Sequence, residues 1–412
     1  MHELNVALVV VGGLVLVLGL FSGLMRQLPV SDPLVALLAG VLLGPVGLGL
    51  LDPAAWGRQE VIMEQAARLT LAIGLMAVAL RLPKAEPLRR WRSLAALLGL
   101  LMPLMWLSSG LLVYLILGLP FWAAMLVGAV LTPTDPVVAS SIVTGKVAEE
   151  NLPDSVRHTI SAESGFNDGL AYPFALLPIL LLTRSTGEAL THWLTRSILW
   201  EVGGAAAFGA LLGYAAGRLL RWAEAKQLVE QTSFLAYTLA LSLVALGGGK
   251  LLGTDGILAV FVAGIALDMT ISSSERAQEE RVQEAVNRFF TLPIFVLLGL
   301  TLPWQEWGEL GWRGVILVVA VLLLRRLPAM LVLRPLLGRV KAVPDALFMG
   351  WFGPVGVAAI FYASLARGRT EVEEAWVIGS LVICGSLLAH GLTSSPFTRW
   401  YGRRAGKGTD AE

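Results

Sequence analysis

Residues 131–169 read LTPTDPVVASSIVTGKVAEENLPDSVRHTISAESGFNDG, and two acidic clusters stand in this stretch where the surrounding sequence reads as lipid-embedded helix. Asp135 sits between Pro133 and Pro136 inside an apolar span, while Glu163, Ser164, Asn167 and Asp168 fall close together in the next. An ionisable side chain at membrane depth costs about 2.5–3.5 kcal/mol on insertion scales, so it normally faces a partner or a wet cavity. The stretch is therefore the functional candidate.

Working outward, 56% of the 412 residues are hydrophobic and only 15% are charged. An ordinary soluble domain carries about 25% charged residues, so this composition is that of an integral membrane protein. The formal net charge of +1 is nearly neutral and the basic residues are scattered along inter-helix loops, which excludes nucleic acid as a partner. Cys384 is the single cysteine and cannot form an intrachain disulfide. The first apolar run lacks a basic leader and a small-residue cleavage site, so it reads as a retained first helix.

Apolar runs of membrane-spanning length predict thirteen spans, near 5–24, 33–50, 62–82, 93–118, 121–145, 156–183, 193–221, 231–250, 254–271, 287–303, 312–335, 343–366 and 375–397. The fold class expected is an all-α polytopic membrane protein. Lysine and arginine concentrate in the connections that follow odd-numbered spans, Arg81, Lys84, Arg89, Arg90 and Arg92 among them, and in the tail, which puts the N-terminus outside and the C-terminus in the cytoplasm of an inner or plasma membrane. Thirteen spans divide as six, one and six, the arithmetic of two inverted repeats with a linking helix. Span five is interrupted by TPTDP at 132–136 and its counterpart, span twelve, by GWFGPVG at 350–356. Paired Gly/Pro-broken spans at matching positions point to a transport site at mid-membrane, because broken helix ends present free N–H and C=O groups. The expected layout is one transmembrane transporter domain over residues 1–400 and a short, disordered cytoplasmic tail over 401–412.

On a helix, Ser164 and Asp168 are four apart, as are Glu163 and Asn167, so the four share one broad face. Asp168 and Ser164 offer oxygens to a hard cation, and Thr134 beside the break adds a hydroxyl. Semi-desolvation raises the pKa of a carboxylate and a nearby cation lowers it, so such a group holds either a proton or a metal ion. Asn167 is a neutral neighbour; a single titrating acid favours one-for-one, electroneutral exchange. Glu163 needs a separate partner, and LLLRRLPAM places Arg325 and Arg326 in span eleven, without the spacing deciding between them.

TPTDPV followed some thirty residues later by AESGFNDG resembles the paired signatures of the cation:proton antiporter-1 family, the sodium/proton exchangers. LLGPVGLGLLDP in span two, ALRLPKAEPLRRWRS after span three and the GPVG break in span twelve extend the resemblance over most of the chain. It implies a helical homodimer, alternating access and a mobile core around spans 4–6 and 11–13. It also implies Asp168 as the cation- and proton-binding acid, Thr134 and Ser164 as ligands, and Asn167 and Glu163 as support, Glu163 pairing with an arginine of span eleven. The transported ions are Na⁺, with Li⁺ or K⁺ as alternatives, and H⁺; no cofactor and no enzymatic step is implied. Many members carry arginine where Val355 stands here, and Glu64 is a further candidate along the ion path.

Plainer readings stand beside these. Asp135 is also a natural helix cap, Glu163–Asp168 a polar surface turn, and either arginine a residue that snorkels to the interface. Glu64 and Arg68 have the spacing of a helix ion pair, His158 that of an interfacial histidine and His390 that of a hydrogen-bonded core residue. A channel or organic-solute carrier is the alternative function. An intramembrane hydrolase with Ser164 as nucleophile would need His158 or His390 as its base, and His158, six residues earlier on the same helix, is poorly spaced for that.

Overall fold

A computed structural model describes residues 31–228, 234–271, 289–338, 340 and 342–409, with isolated positions between 9 and 20; most of the expected first span, and the 272–288 connection, lie outside the described residues. Among these residues the fold is all-helical, without a strand. The main helices are α1 (Asp32–Leu43), α2 (Gln59–Arg81), α3 (Trp91–Leu117), α4 (Phe121–Val130), α5 (Pro136–Val143), α6 (Asp154–Thr183), α7 (Thr186–Ala225), α8 (Phe234–Leu251), α9 (Gly256–Asp268), α10 (Phe289–Leu300), α11 (Trp304–Leu324), α12 (Leu327–Leu333), α13 (Val343–Trp351), α14 (Val357–Arg369) and α15 (Glu374–Thr409). Seven of the described helices or helix runs are long and apolar enough to cross a membrane.

Burial sorts them. Every residue of α2 from Thr70 to Leu80 is buried, the signature of a helix surrounded by others; α2 packs against α5, α6, α8, α9 and α14. By contrast α7 exposes Leu199, Leu211 and Leu219, and α11 exposes Val315, Ile316, Val319 and Leu323. Apolar side chains in such a band face lipid rather than water. On its other side α7 lies close along α9, because a Cβ at Gly213 would come 2.1 Å from the Ala263 carbonyl oxygen.

Two spans are broken where proline and glycine interrupt them. After Val130 the chain leaves the helix until Pro136 restarts it as α5, proline being tolerated in a first turn where no N–H is needed. The second break runs from Phe352 to Gly356, between α13 and α14. A further interruption ends α11 at Leu324, and Arg326 then precedes α12 with a non-helical backbone. At the other end of the chain α15 continues past Trp400 to Thr409. Tyr401 is 2% exposed and its hydroxyl donates to Asp345, which holds that turn against α13.

Candidate functional site

The two breaks meet. The Asp135 N–H donates to the Pro354 carbonyl at 2.8 Å, so a residue of the first break is hydrogen-bonded directly to the second. The Asp135 carboxylate accepts from Val138 N–H at 3.2 Å on α5 and from Val357 N–H on α14. One side chain thereby caps the N-termini of both re-started helices, where exposed amide groups carry partial positive charge. Gly356 permits this approach: a Cβ there would lie 2.0 Å from Asp135 Oδ2. The cap expected of Asp135 is thus a double one.

The opposite ends of the broken helices are tied by Arg325, which donates to the carbonyls of Leu131 and Gly353. Its neighbour Arg326 makes a two-pronged pair with Glu163 at 2.5 and 2.6 Å and donates through Nε to Met349 O at 2.8 Å. Arg325 is 3% and Arg326 2% exposed, so neither snorkels to an interface.

Along α6 the polar face is built as its spacing requires. Thr134 N–H donates to Asn167 Oδ1 at 3.1 Å, Asn167 Nδ2 donates back to Thr134 Oγ1 at 2.7 Å, and Thr134 Oγ1 lies 3.0 Å from Ser164 Oγ. Thr134, Ser164 and Asn167 form one closed cluster, all at most 1% exposed. Asp168 is the next residue. It is fully buried, and among the described residues neither carboxylate oxygen has a hydrogen-bond partner. A buried polar atom without a partner costs free energy that a ligand or a proton relieves. The Tyr362 hydroxyl of α14 donates to the Asp168 backbone carbonyl at 2.5 Å, fixing that turn without occupying the carboxylate.

Glu64 is elsewhere. It lines a cavity of about 640 Å³ with Arg68, Tyr172, Glu201, Asp255 and Arg369, and Tyr172 is one turn beyond Asp168 on α6. Arg68 donates to Gln65 at 3.1 Å instead of pairing with Glu64. His158 Nδ1 is 3.9 Å from Glu86 near the start of α6, and His390 bonds to Ser386 and to the Trp351 carbonyl. Neither histidine meets Ser164. His390 is the hydrogen-bonded core residue its position suggested; sequence spacing missed Ser386 and Tyr362, which bond to backbone groups that leave no mark in side-chain patterns, and it missed the capping reach of Asp135 to Val357 for the same reason.

Broken helices that cross in a buried polar centre, set in an all-helical body with a lipid-facing apolar surface, define a multi-pass membrane protein of the transporter class. The sequence profile described as sodium/hydrogen exchanger, transmembrane, matches residues 13–400, and the chain belongs to that family. It is 37% identical to a Na⁺/H⁺ antiporter of Saccharomyces cerevisiae over 84% of this chain and 36% of that protein. It is 30% identical to a Na⁺/H⁺ antiporter of Schizosaccharomyces pombe over 97% of this chain and 91% of the relative. The chain spans between 36% and 50% of the length of three of its fungal relatives. Its fold matches the solved structure of the sodium proton antiporter MjNhaP1 from Methanocaldococcus jannaschii with a TM-score of 0.75 at 19% identity, over 96% of this chain and 99% of that one.

Proposed function

We propose that the chain is a secondary active antiporter exchanging Na⁺, with Li⁺ or K⁺ as alternatives, for H⁺, the two competing for Asp168. The observation that carries this reading is the fully buried Asp168 carboxylate with both oxygens unpartnered, set beside the Thr134–Ser164–Asn167 cluster. Ser164 and Thr134 supply hydroxyl oxygens of the kind a small hard cation prefers. Asn167 is engaged with Thr134 and adds no charge.

Charge balance supports one-for-one, electroneutral exchange. Around the crossing stand Arg325 and Arg326 and the buried acids Glu163, Asp135 and Asp168, all at most 3% exposed. Two positive groups against three carboxylates leave one negative charge in excess. Glu163 is paired and Asp135 is committed to two helix N-termini, so the excess rests on Asp168. One monovalent cation or one proton there makes the crossing neutral, and a neutral centre is the form that crosses a low-dielectric barrier at least cost. The channel or organic-solute carrier gives no reason for that match, and hydrolysis lacks a base beside Ser164, whose hydroxyl meets Thr134.

In this reading residues 1–400 form one transporter unit of two inverted six-span repeats and a linking helix, with a mobile core of spans 4–6 and 11–13, and 401–412 form its cytoplasmic end. The chain lies in an inner or plasma membrane, N-terminus outside, as a homodimer in lipid. The 640 Å³ cavity then opens toward the outside, since it reaches Thr183 at the end of α6. Proteoliposomes under an imposed pH gradient, given Na⁺, Li⁺ and K⁺ in turn, test the proposal. Cation-driven proton movement is expected in the wild type, insensitive to membrane potential. In Asp168→Asn it is expected to be lost with folding retained; undiminished exchange in that variant overturns the assignment.

A further inference from the structure

The second break carries a clamp that the ion site itself does not explain. Several of its backbone groups find partners outside the two helices it joins. Gly353 O accepts from Arg325 and Pro354 O from Asp135 N–H. Two further partners come from α15: Val355 N–H donates to Ser386 Oγ at 2.8 Å, and His390 Nε2 lies 2.8 Å from Trp351 O, which also accepts from Gly353 N–H at 2.9 Å. Each ring nitrogen faces a carbonyl that only accepts, Nε2 that of Trp351 and Nδ1 that of Ser386 at 2.9 Å. Ser386 Oγ and His390 Nδ1 are 3.0 Å apart, and the residues are four apart on one helix face. Ser386 is 0% and His390 2% exposed, and the Trp351 ring packs on the imidazole with centroids 5.4 Å apart.

We infer that Ser386 and His390 act together as a positioning pair that holds the second break in register with Thr134 and Asp135 and so sets the affinity of the cation site. The pair grips the break on both sides, at Trp351 before it and Val355 within it. Between these grips lie Pro354, which receives Asp135, and Gly353, where an added Cβ would stand 3.1 Å from Thr134 Cγ2. Little slack separates the clamp from the ligand residue. Releasing Val355 N–H or Trp351 O lets the break shift against Thr134, whose hydroxyl orients Ser164 and Asn167. Neither clamp residue touches the ion. Their effect passes through backbone geometry, and both belong to the last span, which is thereby locked to the crossing.

The inference rests on the proposed cation site, and the test separates the two. Na⁺-driven proton movement is measured in proteoliposomes of the full chain carrying Ser386→Ala, His390→Phe and both together, with Ser386→Thr and His390→Gln as conservative rescues. Each truncation is expected to raise the apparent KM for Na⁺ about tenfold, the scale of one lost buried hydrogen bond, while the maximal rate per folded molecule changes less than about twofold. The double variant is expected to match the more severe single one, because the residues act as one unit. The hydroxyl of threonine and the amide of glutamine are expected to restore most of the affinity. A change confined to the maximal rate, effects that multiply in the double variant, or an unchanged KM overturns the clamp. Should a truncation yield no folded protein, Ser386→Cys, which keeps the size with a poorer acceptor, is expected to raise KM about threefold; no rise there also overturns it. A wild type without cation-coupled proton movement instead defeats the functional reading.

Discussion

Glu163 and Arg326 meet face to face inside the membrane-spanning body, at 2.5 and 2.6 Å, each 2% exposed. The pair joins the first third of α6 to the residue that precedes α12, and it removes one acid from the neighbourhood of Asp168. Breaking a buried pair from one side leaves an uncompensated charge, at a cost of about 3–5 kcal/mol. Glu163→Gln is therefore expected to lower the thermal midpoint of the detergent-solubilised protein sharply. Pairing Glu163→Leu with Arg326→Met is expected to recover most of the loss, since two apolar groups replace two charges. Thermal unfolding of the wild type and the two variants checks this; a double variant as damaged as the single one counts against it.

Asp135 and Gly356 are expected to show coupled substitutions. The Asp135 carboxylate occupies the space a side chain at 356 would need, with 2.0 Å left to Oδ2. Gly356→Ala should destabilise by about 1–3 kcal/mol, the range for forced overpacking. In an Asp135→Ala background the same change should cost less, because the carboxylate is gone and only the Cβ of residue 135, 2.9 Å from the added one, is left to give way, although that background has already lost its caps on α5 and α14. A double-mutant cycle on thermal stability measures the coupling, and full additivity contradicts the contact.

The breaks were legible because TPTDP and GWFGPVG place proline and glycine where a helix interior does not accept them. The shared face of Glu163, Ser164, Asn167 and Asp168 was legible from helical spacing alone. The choice between Arg325 and Arg326 was not, for a local reason. The helix stops between them, Arg326 having φ −120° and ψ −43°, so the two guanidinium groups leave in different directions that no helical wheel describes. His390 read only as a hydrogen-bonded core residue and Ser386 drew no reading, because both grip backbone atoms of a distant break. The turn beyond Trp400 stays helical through the burial of Tyr401, a tertiary contact that outweighs the polar local sequence.

Thr134 separates orientation from charge. Its hydroxyl links Ser164 and Asn167, and its methyl group faces the backbone at Gly353. Thr134→Ser keeps the hydroxyl, whereas Thr134→Val keeps the shape and removes two hydrogen bonds. The valine variant is expected to weaken cation affinity at least about tenfold, with Asn167 left short of a buried acceptor, and the serine variant to stay within a few-fold of wild type. Apparent KM values for Na⁺ and Li⁺ in proteoliposomes discriminate the two. Equal behaviour of serine and valine would remove Thr134 from the ligand set.

Competition at Asp168 also predicts how Na⁺ protects the fold. A ligand bound only by the native state stabilises it by RT ln(1 + [L]/Kd), about 2.7 kcal/mol at a hundredfold excess over Kd. When one proton excludes one cation, the apparent Kd rises about tenfold per pH unit on the acid side of the site's titration and is flat on the alkaline side. The thermal shift produced by NaCl, against choline chloride at equal ionic strength, is therefore expected to be present in alkaline buffer and to disappear on acidification. Asp168→Asn has no carboxylate to hold either ion and is expected to show no shift at any pH. Its buried amide is neutral, so the wild-type fold without Na⁺ in acid and the variant should respond alike to salt. A sodium-specific shift of the same size in acid and alkaline buffer means that the cation and the proton do not share a site.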